Sequence, residues 1–312
     1  MSETTSLQRA EDLWFSPDVV VLRAGTRLFR VFTAFLKAQS SVFADMFAFP
    51  EPASAEIETM DGFPVVKLKD DPDEVEGFLK AMFYSSFFLA PWAQPELKDV
   101  VGTLRLSHKY DAPPLRRRAL EHMELIYPTT LPDYDIRRDH DSDSIPKLPD
   151  TLIALKVATE VGALWLLPSI YYILCKSSVS EIMSEPGWNA LGEKERAPCL
   201  VGHSEQTEYF PTSVAFLSSP SVRTSDWEAC SLTRHHIARD NLQKVPMRAP
   251  LETSHEILTE MKFMGICDAC MEAASAVCQA DRQGFWDGLP QMFGLPPWAE
   301  LEELRRVALS TS

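Results

Sequence analysis

The residues of this chain best suited to chemistry are its cysteines. Cys267-Asp-Ala-Cys270 has the two-residue gap of a metal-binding or redox pair, and Cys278, His255, Cys230 and Cys199 are further soft or nitrogen donors. Zinc is ordinarily held tetrahedrally by four such donors, most often delivered as two close pairs. Only one close pair occurs here. Written on a helix, Cys267, Cys270, Met271, Ala274 and Cys278 recur at spacings of three and four, which is also how small core residues line one face. Core packing, structural zinc and redox chemistry all fit this spacing, and core packing fits it best. No metal or other cofactor is expected, with Cys267, Cys270 and Cys278 standing as the ligand candidates if one binds.

Other chemical motifs are scarce. His235-His236 is the only adjacent imidazole pair, and its setting, Thr233-Arg-His-His-Ile-Ala-Arg239, reads as a polar surface. The chain contains no Gly-x-x-x-x-Gly-Lys-Ser/Thr, no Gly-x-Gly-x-x-Gly, no Gly-x-Ser-x-Gly and no His-Glu-x-x-His. The usual sequence frames for nucleotide binding, nucleophilic catalysis and zinc-assisted hydrolysis are therefore missing. A non-enzymatic protein is expected, with an enzymatic or zinc-binding C-terminal half as the alternative of another class.

Charge narrows the partners. Thirty Lys and Arg stand against 45 Asp and Glu, a formal net charge of -15, whereas phosphate neutralisation needs basic residues in local excess. The one basic run, Arg116-Arg117-Arg118, is short and falls where a helix is expected, so it reads as a solvated face. Nucleic acid is not an expected partner, and neither is a membrane. The longest apolar stretch, Val161 to Cys175, contains Pro168 and is shorter than the roughly 20 residues a bilayer span needs. Met1-Ser-Glu-Thr-Thr5 lacks the basic start and apolar stretch of a signal peptide, no Asn-x-Ser/Thr occurs, and all six cysteines lie at or after Cys175. Together these point to an intracellular protein of cytoplasm or nucleus carrying reduced thiols.

The elements that must position these residues follow from periodicity. A β-branched run, Val19 to Leu22, is bounded by Pro17 and Gly25, and a second strand over Leu28 to Val31 makes a hairpin with it. From Phe32 to Phe47 the apolar spacing changes to three and four, predicting two short helices with Ser40-Ser41 available as a cap between them. Phe63-Pro-Val-Val-Lys-Leu68 is a further strand. Asp71 or Asp73 then caps a helix bearing Val75, Phe78, Leu79, Met82 and Phe83, and two more amphipathic helices follow over Glu96–His108 and Pro114–Ile126. Strands followed by a helical cluster define an α+β domain over residues 11–127, with a small three-stranded sheet.

Beyond it, 128–150 reads as an acidic linker, Thr129 to Pro149 holding three prolines and Asp133, Asp135, Asp139, Asp141 and Asp143. Residues 151–306 then read as a mainly α-helical region. Thr151–Lys176 is expected to be one long helix bent near Pro168, Gly187–Arg248 resists assignment, and Leu251–Gln279 is helical. The segment from Phe285 to Trp298 is so rich in large apolar side chains that it should dock on the core.

Laid out as hairpin, helix pair, strand, helix and helical pair, residues 11–127 resemble a BTB/POZ domain of the kind abundant in fungal proteins. The carriers of the resemblance are Asp18-Val-Val-Val-Leu22, Phe29-Arg-Val-Phe-Thr-Ala-Phe-Leu36, Ser40-Ser-Val-Phe43, Asp45-Met-Phe47, Val65-Val-Lys-Leu68, Phe78-Leu-Lys-Ala-Met-Phe-Tyr84 and Leu106-Ser-His-Lys-Tyr110. The resemblance implies a protein–protein interaction or assembly module whose partners are other proteins. Where the family usually carries a histidine, four residues before Leu36, this chain has Phe32, which exchanges a polar contact for an apolar one. Many BTB proteins that form strand-swapped homodimers carry a long helix before the first strand. The roughly ten residues before Glu11 are too few for such a helical seam at about 1.5 Å per residue, which argues against that homodimer. Relatives that recruit cullin scaffolds place a hydrophobic residue, any residue and Glu after the second short helix, and Phe49-Pro50-Glu51 occupies that place. Phe49 and Glu51 are accordingly the candidate partner-binding residues, and a substrate adaptor for a cullin ubiquitin ligase is the alternative function.

Overall fold

A computed structural model of the chain describes residues 18–48, 58–88, 95–140, 146–218, 227–244 and 248–310. By internal contacts the chain divides into two compact units, Met1–His122 with Leu309–Ser312, and Met123–Ala308.

The first unit is built around a sheet. Strand β1 (Val19–Ala24) pairs antiparallel with β2 (Arg27–Phe32) through the tight turn at Gly25-Thr26. The pleat turns Val20, Leu22 and Ala24 of β1 to the same side as Val31, Phe29 and Arg27 of β2, and the three β1 residues are buried. Helices α1 (Thr33–Gln39) and α2 (Ser41–Met46) form the expected short pair, and each buries one side chain, Leu36 and Phe43. Ser40 caps α2, its Oγ accepting the Phe43 backbone N–H at 3.1 Å.

Among the described residues the sheet has four strands rather than the three expected. A short β3 (Thr59–Met60) pairs antiparallel with β4 (Phe63–Leu68), which itself runs parallel to β1, giving the order β2-β1-β4-β3. The extra strand arises from Asp61-Gly62, where φ is 53° and 82°. Two consecutive positive φ values make the two-residue turn whose twist suits a hairpin, and Asp-Gly is among the few pairs that adopt it without large strain.

Helix α3 (Pro72–Phe83) starts at Asp71, whose Oδ1 accepts the N–H groups of Asp73 at 2.9 Å and Glu74 at 3.2 Å. It packs along α4 (Leu97–Lys109), which is followed by α5 (Pro113–Ile126). Val75, Phe78, Val100, Leu104, Leu115 and Leu120 are buried between these elements and the sheet-side residues. Tyr110 fixes one end of this core, stacking on Phe43 with ring centroids 4.7 Å apart and planes 11° from parallel.

The second unit is helical. The acidic stretch expected to link the two regions instead contains α6 (Leu131–His140), because Leu131 and Tyr134, three residues apart, supply a buried face that composition alone conceals. Asp135 on this helix takes a two-pronged ion pair from buried Arg282, one arm at 2.9 Å. After α7 (Leu148–Glu160) the chain breaks at Gly162 (φ +72°), passes through a 3-10 turn at Leu164–Leu166 and resumes as α8 (Leu167–Leu174). The expected bend at Pro168 is therefore misplaced. Glycine reaches the left-handed conformation that ends a helix, whereas Pro168 sits in the first turn of the next one, where its missing N–H costs nothing. Every residue of α8 is buried.

Short helices α9 (Val179–Ser184) and α10 (Pro186–Asn189) lead to α11 (Glu193–Ser213) and α12 (Trp227–Lys244), which occupy most of the segment that composition left unassigned. The helical stretch expected over Leu251–Gln279 consists of two helices, α13 (Pro250–Phe263) and α14 (Asp268–Met292), divided by Met264-Gly-Ile-Cys267. Phe285, Trp286, Leu289 and Phe293 are buried as their bulk predicts, and Trp298, opening α15 (Trp298–Ser310), stacks on Trp286 with centroids 5.9 Å apart. No helix among the described residues is long and apolar enough to cross a membrane.

Candidate functional site

Phe49 and Glu51, the partner-binding residues expected from sequence, lie outside the described residues. Among the described residues of the first unit, exposed apolar side chains lie at the sheet edges. Strand β2 lies at the end of the sheet order, and its pleat places Leu28, Arg30 and Phe32 together on the side opposite Phe29 and Val31. Leu28 is 45% exposed and Phe32 58% exposed, although both are large and apolar. Arg30 reaches back over the ring of Phe63 on β4, 5.7 Å from its centroid, so cationic and apolar groups alternate across this face. Phe32, expected to keep an apolar contact in place of the family histidine, is instead largely solvent-exposed, because the chain turns there from β2 into α1. The opposite sheet edge, β3, leaves Met60 41% exposed. A strand at the edge of the described sheet with exposed apolar side chains is able to accept another polypeptide by strand addition or side-chain docking.

The cysteines do not gather as their spacing on one helix implies. Cys270, Ala274 and Cys278 do share a buried face of α14, within a core that includes Phe216, Ile237, Ile257 and Met261. Cys278 points away from the pair, its thiol donating to the Ser254 carbonyl at 3.9 Å, and burial pushes that thiol up from its ordinary pKa. Cys267 is the N-cap of α14 and only half-buried. The residue that joins the pair is Cys230, on the first turn of α12. The Sγ atoms of Cys230, Cys267 and Cys270 all lie within 4.8 Å of one another. The Cys267 backbone N–H also donates to Cys230 Sγ at 3.4 Å. Sequence spacing could not find Cys230, because 36 residues separate it from Cys267 and the chain reversal between them is set by how α12, α13 and α14 pack.

A third polar constellation lies in the second unit around Glu252, on the first turn of α13. Its carboxylate accepts hydrogen bonds from Tyr134 of α6, Tyr172 of α8 and the Lys176 ammonium. Burial pushes this carboxyl up, but the Lys176 charge and the three hydrogen bonds outweigh it and hold the group below the usual carboxylate range. Burial and the same carboxylate push the hydroxyls of Tyr134 and Tyr172 far above the phenolic range. Glu252, Tyr134 and Tyr172 therefore keep their ordinary protonation near neutral pH, and none of the three is poised to exchange a proton with a substrate. The cavity beside them, lined by Tyr134, Arg137, Arg138, Ile173, Lys176 and Glu252, measures about 10 Å³, room for about one water. A larger pocket of about 100 Å³ lies between α11, α12 and α13, lined mainly by Phe210, Val214, Leu217, Ala238 and Ile257. That is well below the roughly 300 Å³ at which small-molecule sites begin.

Of the remaining sequence candidates, His235, His236 and Arg117 are solvated, whereas Arg116 and Arg118 of the basic run are half-buried. His235 and His236 are exposed on α12, the former 2.8 Å from the Ser231 carbonyl through Nδ1. Arg117 is exposed and paired with Glu121 at 3.1 Å one helical turn away. Comparison with protein-family models, with curated proteins and with solved structures finds no match.

Proposed function

We propose that this protein is a non-enzymatic protein-interaction and assembly protein, and that residues 11–127 are its BTB/POZ-type module. The observation that carries the reading is β2, an edge strand that leaves Leu28 and Phe32 exposed on one face of the sheet. Large apolar residues flanking an arginine, concentrated at the rim of a sheet, are the composition from which protein-binding hot spots are made. The element order supports the family assignment: hairpin β1–β2, helix pair α1–α2, a strand parallel to β1, then α3 and the pair α4–α5. The partner is another protein, and the acidic net charge favours a complementary basic one.

The test is affinity capture from native lysate with the full-length chain as bait, beside a Leu28→Asp/Phe32→Asp variant. The expected result is a discrete set of proteins retained by the unmodified chain and lost by the variant. Recovery of the bait alone, or of the same proteins by both baits, contradicts the reading.

A further inference from the structure

The geometry points to a metal site in the second unit: Cys230, Cys267 and Cys270 bind one Zn(II) as three thiolates, a structural centre joining the start of α12 to the start of α14. Two cysteines from one motif and a third from 37 residues upstream converge with their sulfurs within 4.8 Å of one another. A tetrahedral zinc with bonds of about 2.3 Å needs sulfur–sulfur edges of about 3.8 Å, so small side-chain rotations complete the set.

Simple core packing explains Cys270 and Cys230, which are 1% and 3% exposed, but it explains Cys267 less well. Cys267 is only partly buried against that core, in an extended N-cap conformation, and makes no side-chain capping hydrogen bond. Cys230 Sγ receives the Cys267 backbone N–H, the kind of N–H···S bond that stabilises charge on a metal-bound thiolate.

Electrostatics favour the same assignment. Three thiolates and Zn(II) leave one net negative charge. Cys267 and Cys270 occupy the N-cap and first turn of α14, and Cys230 the first turn of α12, so the positive ends of two helix dipoles lie beside that charge. Binding releases the thiol protons, three bonds to sulfur form, and no electrons are transferred. The fourth tetrahedral position is left to water or to one further donor.

Full-length protein purified under reducing conditions should carry about one zinc per chain by mass-spectrometric metal analysis. After chelation, titration with Co(II) should give the thiolate-to-cobalt charge-transfer band and the visible bands of tetrahedral cobalt, saturating at about one equivalent. Cys230→Ala and Cys267→Ala should lose the band and Cys278→Ala should keep it. Unchanged helical circular dichroism in Cys267→Ala separates loss of a ligand from loss of fold, and titration of the unmodified chain needs no variant at all. Zinc below about a tenth of an equivalent with no cobalt band in the reduced chain overturns the site. A band that survives Cys230→Ala, or metal-free protein with Cys267 and Cys270 joined in a disulfide, overturns it equally.

Discussion

Ser40 donates its hydroxyl to the backbone carbonyl of Tyr110, 70 residues away, while the same oxygen accepts the N–H of Phe43. One buried side chain thus caps α2 and ties it to the end of α4, and Ser41 adds a bond to Asp111. Ser40→Ala removes the cap and strands a buried carbonyl, so it should destabilise the first unit by about 2 kcal/mol. Urea unfolding followed by hydrogen exchange in peptides covering α2 and α4 checks this, with the midpoint falling and the denaturant slope unchanged.

Gly162 separates α7 from α8 in the left-handed conformation, and a methyl group there would meet nothing within 4 Å. Gly162→Ala therefore tests backbone strain without a clash. The expected cost is about 1 kcal/mol, read as a modest fall in thermal midpoint.

Gly202 is the opposite case. It lies within α11, where alanine would ordinarily be favoured by about 1 kcal/mol, but a Cβ there would run into the ring of Phe293. Phe293 is 1% exposed and stacked on Tyr171 at 5.0 Å, so it has nowhere to go. Overpacking wins, and Gly202→Ala should destabilise by about 1–3 kcal/mol. Thermal unfolding decides the sign, and Gly202→Ala combined with Phe293→Leu should recover part of the loss.

Glu252 gives the fold a pH dependence. Its carboxyl titrates lower in the folded chain than in the unfolded chain, so the stability it contributes is complete above the unfolded value of about 4.3. That contribution is lost as pH falls from there through the folded value. Glu252→Gln should lower the thermal midpoint at neutral pH, and the gap to the unmodified protein should narrow below about pH 4. Lys176→Met leaves a mostly buried carboxylate without its counter-charge and should cost about 2–4 kcal/mol at neutral pH.

Much of the first unit is legible in the sequence because its determinants are local. Val19 to Leu22 announces a strand, Ser40 and Asp71 act as the caps that their residue types suggest, and helix periodicity locates α3 to α5. The hairpin at Asp61-Gly62 escapes the sequence reading because the two-residue β3 beside it has no period to detect. In the second unit, helix ends were harder to place. Proline draws attention as a breaker, yet Pro168 opens a helix and Gly162 ends one. The tyrosines around Glu252 and the approach of Cys230 to Cys267 depend on packing between distant helices, which leaves no trace in local spacing. Leu28 and Phe32 were read as ordinary strand and helix apolar residues because alternation shows which positions share a face and not which face is covered.

The central claim is that the β2 edge binds protein. Its most direct test is calorimetric titration of a captured partner into the unmodified chain and into Phe32→Asp, with thermal unfolding showing both chains equally folded. Binding through this edge predicts affinity at least about tenfold weaker for Phe32→Asp. Equal affinity for the two folded chains would contradict it.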